Sequence, residues 1–474
     1  MDRKTFRDWA HRAADWSADY LESIDKRPVR ARTRPGDIAA RLPAVPPEQG
    51  EDMARLFEDV DNILMPGMTH WQHPRFFAYF PANSSPPSVI AEYLTAAMAA
   101  QCMLWQTSPA ATELETRVLD WLRHMLNLPS SFQGVIQDSA SSATLAAILT
   151  GREQALGFKG NQDGLAAHPP IRVYTSAQAH SSIDKAVWIS GIGQTNLVRV
   201  ATRGGDDMDP VSLEAAIQAD KASGYRPAVV IATIGSTSVG AMDDLRAVGE
   251  VARRHGLYFH VDAAWAGSAL ICEEHRHLID GIDLADSFVF NPHKWLLTNF
   301  DCTAHFVKDP AALVQTLGIQ PDYLKTQGEA GINYSEWSVP LGRRFRALKL
   351  WFVIRSYGVR ALCEIVRSHI RMAEALAKRI DAHPDFELTT KPSLSLFTFR
   401  YAPAGVPALD DLNARLLQAI NDDGRIYLTQ TRYRGDYVIR VSVGQLYTTD
   451  EDIETAWSVI QELAAAADTN PSGT

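Results

Sequence analysis

Cysteine is scarce: Cys102, Cys272, Cys302 and Cys363 are the four in 474 residues, far apart and without a C-x-x-C pair. That pattern argues against a zinc site or a disulfide framework and for a reducing, cytoplasmic setting. Long apolar runs are also missing. No stretch of about 18 apolar residues occurs, and the opening "MDRKTFRDWAHRAADW" is charged throughout, so neither a membrane span nor a secretory signal is expected. Blocks of positive charge are absent too. With a formal net charge of -10 and scattered Lys and Arg, nucleic acid and anionic membrane are disfavoured as partners, and small molecules are favoured. No internal repeat or low-complexity tract was found.

What is there is enough chain for two or three packed units. Phe6, Trp9, Ala13, Trp16, Tyr20 and Ile24 recur at helical spacing, an aromatic stripe that needs a partner surface. A strandless start too small for its own core buries such a stripe most economically on a second copy, which predicts a homodimer; packing on its own chain is the alternative. Residues 1–85 are therefore expected as an N-terminal helical segment wrapping the dimer partner. From about residue 110, β-branched runs alternate with helical stretches: "IRVYT" at 171, "LVRVA" at 197, "AVVIATI" at 228, "LYFHVDA" at 257, "DSFVFN" at 286 and "TAHFV" at 303. That alternation predicts an α/β domain over 86–359 with a mostly parallel sheet, whose ligands sit at strand carboxyl ends. Residues 360–474, with a long helix, "SLFTFRY", and the pair "IYLTQ" and "YVIRVSV", read as a small α+β domain with a frayed tail "AAAADTNPSGT".

Three strand ends carry polar groups that a plain core would not. Asp262 follows the run "YFHV", with His260 on the same face; a carboxylate there is ordinarily a cap or an ion-pair partner. Asn291, His293 and Lys294 end "VFNPHKW", where a lone lysine ordinarily snorkels to the surface. Ser139, Ala140 and Ser141 precede an apolar helical run. They make either a simple N-cap or a phosphate cup, because free backbone N–H groups and the positive helix end converge there. Together the three match the needs of pyridoxal 5'-phosphate: an amine for its aldehyde, an anion for its pyridinium nitrogen and a cradle for its phosphate. Lysine suits the first task because partial desolvation leaves its amine neutral.

With those residues in view, the chain resembles the group II pyridoxal phosphate decarboxylases, specifically the aromatic-L-amino-acid decarboxylases. The likeness is carried by "NPHKW", "HWQHPRFFAYFP" at 70, "SPAATELE" at 108, "AHSSIDKA" at 179, "HVDAAWAGSA" at 260 and "PLGRRFRALKLW" at 340. It implies the aspartate-aminotransferase-like fold type I, an obligate dimer, and decarboxylation of an aromatic L-amino acid (tryptophan, phenylalanine, tyrosine or dihydroxyphenylalanine) to its arylalkylamine. By motif it implies that Lys294 carries the cofactor, Asp262 pairs with the ring nitrogen, and His180 stacks over the ring. Ser139, Ala140, Ser141, Asn291 and His293 then hold the phosphate, with Thr237 and Ala264 against the cofactor. Trp71, Tyr79, Phe80 and Pro81 match positions lining the side-chain pocket; read without the likeness, that aromatic run is core. Gln101 and Met103 fall where a neighbouring pocket is reached, and Gly342 matches a position that in plant relatives separates indole from phenol substrates. The segment 318–342 lacks periodicity and reads as a functional loop or lid. It holds Tyr334, matching the tyrosine taken to protonate the carbanion, where relatives with phenylalanine make aldehydes. An aldehyde synthase and a non-catalytic relative are the alternatives. Two residues depart from the pattern: Asp138 stands where glycine is usual, and Ala82 replaces a threonine.

Overall fold

The computed structural model describes residues 1–204, 206–319 and 331–469. They divide into two compact units, one of 82–370 with 392–396, the other of 1–81, 371–391 and 397–474. The helices are α1 (Arg3–Glu22), α2 (Met53–Asp59), α3 (Pro86–Met98), α4 (Pro109–Met125), α5 (Ala140–Ala155), α6 (Gly160–Asp163), α7 (Ser182–Ile189), α8 (Pro210–Ala222), α9 (Leu245–His255), α10 (Pro292–Trp295), α11 (Pro310–Leu317), α12 (Arg346–Asp381), α13 (Leu409–Asp423) and α14 (Asp450–Thr469).

The larger unit is built on seven strands: β1 (Gln133–Gln137), β2 (Ile171–Ser176), β3 (Leu197–Val200), β4 (Arg226–Thr233), β5 (Tyr258–Asp262), β6 (Ser287–Phe290) and β7 (Thr303–Val307). Their spatial order is β1-β7-β6-β5-β4-β2-β3. Only β7 runs against its neighbours, pairing antiparallel with β1 and β6 while β2 to β6 pair in parallel. β5, β6 and β7 are buried at every residue, as expected where helices cover both faces. Helices close the crossovers with local signals. α9 starts on Asp244, whose side chain accepts from Ala247 N–H, and stops at Gly256 in the left-handed region, a side-chain cap and a glycine cap. α5 lies against the sheet, and Gly151 is what permits it, since an added Cβ would sit 2.5 Å from Val229 and 2.7 Å from Tyr258. The mostly parallel sheet bears out the expected fold class. All six β-branched runs are strands, and β1 is a seventh that the runs did not reveal.

In the smaller unit, β8 (Phe386–Ser393), β9 (Leu396–Tyr401), β10 (Thr429–Tyr433) and β11 (Asp436–Ser442) form a sheet ordered β10-β11-β9-β8. Its buried face packs with α13, α14 and the end of α12 around Leu376, Phe397, Phe399, Leu416, Ile439 and Val459. "IYLTQ" contributes less strand than expected, because β10 begins at Thr429, whereas Tyr427 bridges to Phe76. The tail departs from expectation as well: the alanines extend α14 to Thr469, in line with alanine's high helix propensity, and 470–474 lie outside the described residues. Part of the α1 stripe is used within the chain, where Trp9 stacks on Phe57 at 5.3 Å and Trp16 Nε1 donates to Asp61 at 2.8 Å. No residue of α1 is fully buried. Among the described residues no helix is long and apolar enough to cross a membrane.

Candidate active site

Parallel pairing brings the carboxyl ends of β2, β4, β5 and β6 to one edge of the large sheet. β1, antiparallel to the antiparallel β7, ends at the same edge, and β7 begins there. The three polar strand ends singled out from the sequence therefore land on that edge, Ser139 after β1, Asp262 at the end of β5, and Asn291, His293 and Lys294 after β6, as do His180 after β2 and Thr237 after β4, which the resemblance supplied.

Asp262 is buried, in register with Thr233 on β4 and Val289 on β6. Its Oδ1 accepts from Ala264 N–H at 3.0 Å, and Ala264 O accepts from Asn291 N–H at 2.9 Å. One ladder thus ties the carboxylate to the turn that carries the lysine. Lys294 lies in the short α10 between buried His293 and buried Trp295, its own side chain half-buried. Its carbonyl accepts from Asn83 Nδ2 at 3.0 Å, and Trp295 is fixed by stacking on Trp265 at 5.3 Å and by donating to His369 at 2.9 Å. The backbone of the lysine is thereby held on both sides.

The donors on this edge are oriented. Asn291 Oδ1 accepts from Thr303 Oγ1 at 2.7 Å, which leaves the amide NH2 to donate elsewhere. His293 Nδ1 accepts from Cys302 N–H at 2.9 Å, so the neutral ring carries its proton on Nε2. Burial, reinforced by the charge of Lys294, pulls the His293 pKa down to about 3 and keeps the ring neutral. His180 Nδ1 likewise accepts from Ser182 N–H at 3.1 Å, giving the Nε2–H form. Although much of His180 is exposed, partial burial lowers its pKa; the charge of Asp262 opposes the shift and that of Lys294 adds to it. All three groups therefore share one field. Ser139 is a true N-cap, its Oγ accepting from Ser142 N–H at 3.3 Å, while Ala140 and Ser141 form the first turn of α5. Asp138, just before it, is half-buried, its Oδ1 enclosed and without a partner among the described residues. Its charge is felt by Arg346, which is itself bound to Asp301 at 2.9 Å and 3.2 Å.

A second constellation lies along a ribbon of the same unit. Gln101 Oε1 accepts from Arg343 N–H at 2.7 Å, Cys102 N–H donates to Arg343 O at 2.9 Å, and Met103 O accepts from Ser335 N–H at 3.0 Å. A side chain at Gly342 would meet Gln101 Nε2 at 3.4 Å. Gln101, Met103, Gly342 and Tyr334 are thus brought together, and Gln137 at the end of β1 donates to Trp337 O at 2.9 Å. Tyr334 is 2% exposed. Its hydroxyl bonds Thr116 Oγ1 at 2.8 Å, its ring lies 5.0 Å from the Arg343 guanidinium, and burial, with Glu115 nearby, raises its pKa. Of the segment read as a lid, 320–330 lie outside the described residues; Tyr334 itself packs with Trp337, Val135 and Leu313.

Trp71, Tyr79, Phe80 and Pro81 form their own group in the smaller unit. Trp71 stacks on Tyr79 at 5.7 Å, Phe80 lies under the Arg440 guanidinium at 4.7 Å, and Pro81 abuts Gly444. Trp71 and Tyr79 are 40% and 50% exposed, so that pair is an aromatic shelf rather than core.

Reading the sequence for chemistry missed the residues that brace these groups. Glu115 and Arg343, in two motifs quoted without a role, form a buried ion pair at 2.6 Å, and Arg343 also donates to Ile136 O at 2.7 Å. Neither stands out locally, since "SPAATELE" holds a second glutamate and "PLGRRFRALKLW" three further basic residues. The donor set on the sheet edge, neutral N–H groups beside a helix start and a carboxylate at the neighbouring strand end, fits a molecule with a phosphate and a protonable ring nitrogen.

The sequence matches the model of the pyridoxal-dependent decarboxylase conserved domain over residues 35–402. It is 39% identical to phenylacetaldehyde synthase of Arabidopsis thaliana, covering 98% of this chain and 97% of the relative. Tryptophan decarboxylase 2 of Oryza sativa subsp. japonica is 40% identical, covering 98% and 95%. Among solved structures, Oryza sativa TDC with PLP and tryptamine superimposes with a TM-score of 0.95 at 35% identity, covering 98% of this chain and 99% of that one.

Proposed function

The chain belongs to the pyridoxal-dependent decarboxylase family, a pyridoxal phosphate carboxy-lyase, and from that premise we propose that it converts an aromatic L-amino acid to the arylalkylamine and carbon dioxide. The observation that carries the reading is the placement of Asp262, Lys294 and His180 on one sheet edge, in one electrostatic field. Bound there, pyridoxal phosphate supplies an electron sink for the pair released at Cα. Lys294 Nζ would hold the cofactor through its aldehyde. Asp262, its carboxylate aimed by Ala264 N–H, holds a proton on the ring nitrogen. His180, fixed by Ser182, covers one ring face. The NH2 of Asn291, the Nε2–H of His293 and the first turn of α5, with Ser139, Ala140 and Ser141, take the phosphate, while Thr237 and Ala264 flank the cofactor. The proton returns to Cα from a water-linked acid or from Tyr334, whose hydroxyl must first leave Thr116; Gln101, Met103 and Gly342 flank the aromatic side chain, and the motif likeness alone assigns Trp71, Tyr79, Phe80 and Pro81 to substrate binding.

The aromatic class rests on relatives named for tryptophan, tyrosine and aromatic-L-amino-acid decarboxylation. A homodimer is part of the same reading, supported by Ile90, Tyr93, Leu94 and Met98, exposed at helical spacing on α3; so is a cytoplasmic location. The second reading is an oxygen-consuming aldehyde synthase, favoured by the likeness to phenylacetaldehyde synthase and disfavoured by tyrosine at 334. Product analysis by mass spectrometry, with tryptophan, phenylalanine, tyrosine and dihydroxyphenylalanine supplied separately and peroxide monitored, decides between them. Amine without peroxide is expected; aldehyde with peroxide overturns the proposal.

A further inference from the structure

Two of the four cysteines meet away from the sheet edge that carries Lys294. Cys272 follows the buried turn Ala266–Ile271, and Cys363 lies in α12 beyond Gly358, whose φ of 72° interrupts the helix. Each sulfur reaches across to the other segment: Cys272 Sγ donates to Cys363 O at 3.7 Å, and Cys363 Sγ donates to Ile271 O at 3.3 Å. Each thiol thus lies against the backbone of the segment that carries the other. Both are free and buried, Cys272 completely and Cys363 with 7% exposed. Above them Arg367 clasps Glu274 at 2.7 Å and 3.0 Å, an exposed ion pair that joins the same two segments and sets a cation close to both sulfurs.

We propose that Cys272 and Cys363 are a redox-reversible pair, oxidised by hydrogen peroxide to a disulfide that staples the turn following the Asp262 strand to α12. Cys363, the less buried residue of the two, is oxidised first: its thiolate attacks peroxide and displaces hydroxide to give a sulfenic acid. Cys272 then attacks that sulfur and expels water, so two thiols and one peroxide become one disulfide and two waters. Burial raises the pKa of both thiols, while the neighbouring Arg367 pulls the other way. The thiolate fraction is therefore small and oxidation slow, which restricts the change to sustained peroxide exposure. The cross-link closes a loop that contains Lys294 and the 331–343 ribbon, constraining the unfolded chain more than the folded one. Its effect is thermal stabilisation of that unit.

The test treats the holoenzyme with hydrogen peroxide, alkylates free thiols, digests without reduction and maps peptides by mass spectrometry, with a thermal melt in parallel. A linked Cys272–Cys363 peptide and a melting temperature several degrees higher, both reversed by dithiothreitol, are expected. Cys363→Ser and, independently, Cys272→Ala abolish both signals while keeping the reduced enzyme's melting temperature within about two degrees. Sulfinic or sulfonic acid at Cys363 without a linked peptide, a link to another cysteine, or unchanged thiols after peroxide has oxidised exposed methionines overturns the proposal.

Discussion

Glu115→Gln removes one charge and almost no volume, at a site where the charge has nowhere to go. The Glu115 and Arg343 side chains are each 3% exposed. The carboxylate accepts from Arg343 Nη2 at 2.6 Å, from Arg343 Nη1 at 3.1 Å and from Ile136 N–H at 2.8 Å. The guanidinium is spent on that carboxylate and on the carbonyls of Ile136 and Cys102. With glutamine at 115, Arg343 stays cationic and buried with its counter-charge gone, a loss of about 3–5 kcal/mol. Against a typical total of about 5–15 kcal/mol and roughly 2–4 °C per kcal/mol for large domains, the melting temperature falls by roughly 6–20 °C. Scanning calorimetry on the variant measures it. Pairing the change with Arg343→Met recovers most of the loss, because the double variant buries no lone charge. A Glu115→Gln enzyme within about 1 kcal/mol of wild type would refute the reasoning, as would a double variant as unstable as the sum of the single ones.

Lys294→Ala abolishes turnover and the cofactor's absorbance signature while the melting temperature of the apoprotein stays unchanged; turnover comparable to wild type rejects the lysine assignment. Tyr334→Phe deletes the hydroxyl bound to Thr116 and is expected to move product from amine toward aldehyde and peroxide, read by a coupled peroxide assay; an unaltered amine yield removes Tyr334 from the proton path. Asp138→Asn takes a carboxylate from beside the α5 start and should tighten pyridoxal phosphate about tenfold, roughly 1.4 kcal/mol, without changing the affinity for pyridoxal; equal changes for both ligands mean the effect is not electrostatic. Burial holds His73 at about 4 and His293 and His305 at about 3, and it raises Asp243 to about 6. From pH 6 down to about 4, the unfolded chain takes up three histidine protons that the fold refuses, while Asp243 takes up one only when folded. His260, fully buried and likewise kept neutral, adds a fourth, so three net protons make stability fall by about 4 kcal/mol per pH unit of acidification; a flat urea midpoint across that window contradicts it.

How much of this was legible follows from which signals are local. A β-branched run bounded by turn residues names a buried parallel strand wherever it occurs, so β2 to β7 were readable. β1 is "QGVIQ", polar at both ends, and β8 is "FELTTKPS", an edge strand with a mostly half-exposed pattern; neither carries the apolar signature, because neither is buried on both faces along its length. Asp262 and Lys294 were identifiable because each ends or follows a predicted strand, and strand ends of a parallel sheet have one address; Ser139 was identifiable because it precedes an apolar helical run. Glu115 with Arg343, Tyr334 with Thr116, and Cys272 with Cys363 were not identifiable as pairs, since their partners are brought near only by packing and no periodicity links them.

By itself the sequence determined the element types, the fold class, the family and the identity of the chemistry-bearing residues, because propensity, periodicity and strand-end placement are properties of short stretches. Tertiary structure alone decided that Glu115 neutralises Arg343, that Tyr334 is packed away with its hydroxyl on Thr116, that Trp71 and Tyr79 form a shelf rather than core, and that two distant thiols meet. Burial and charge pairing depend on what the rest of the chain places at a point in space, and that is settled only when the sheet and its helices close.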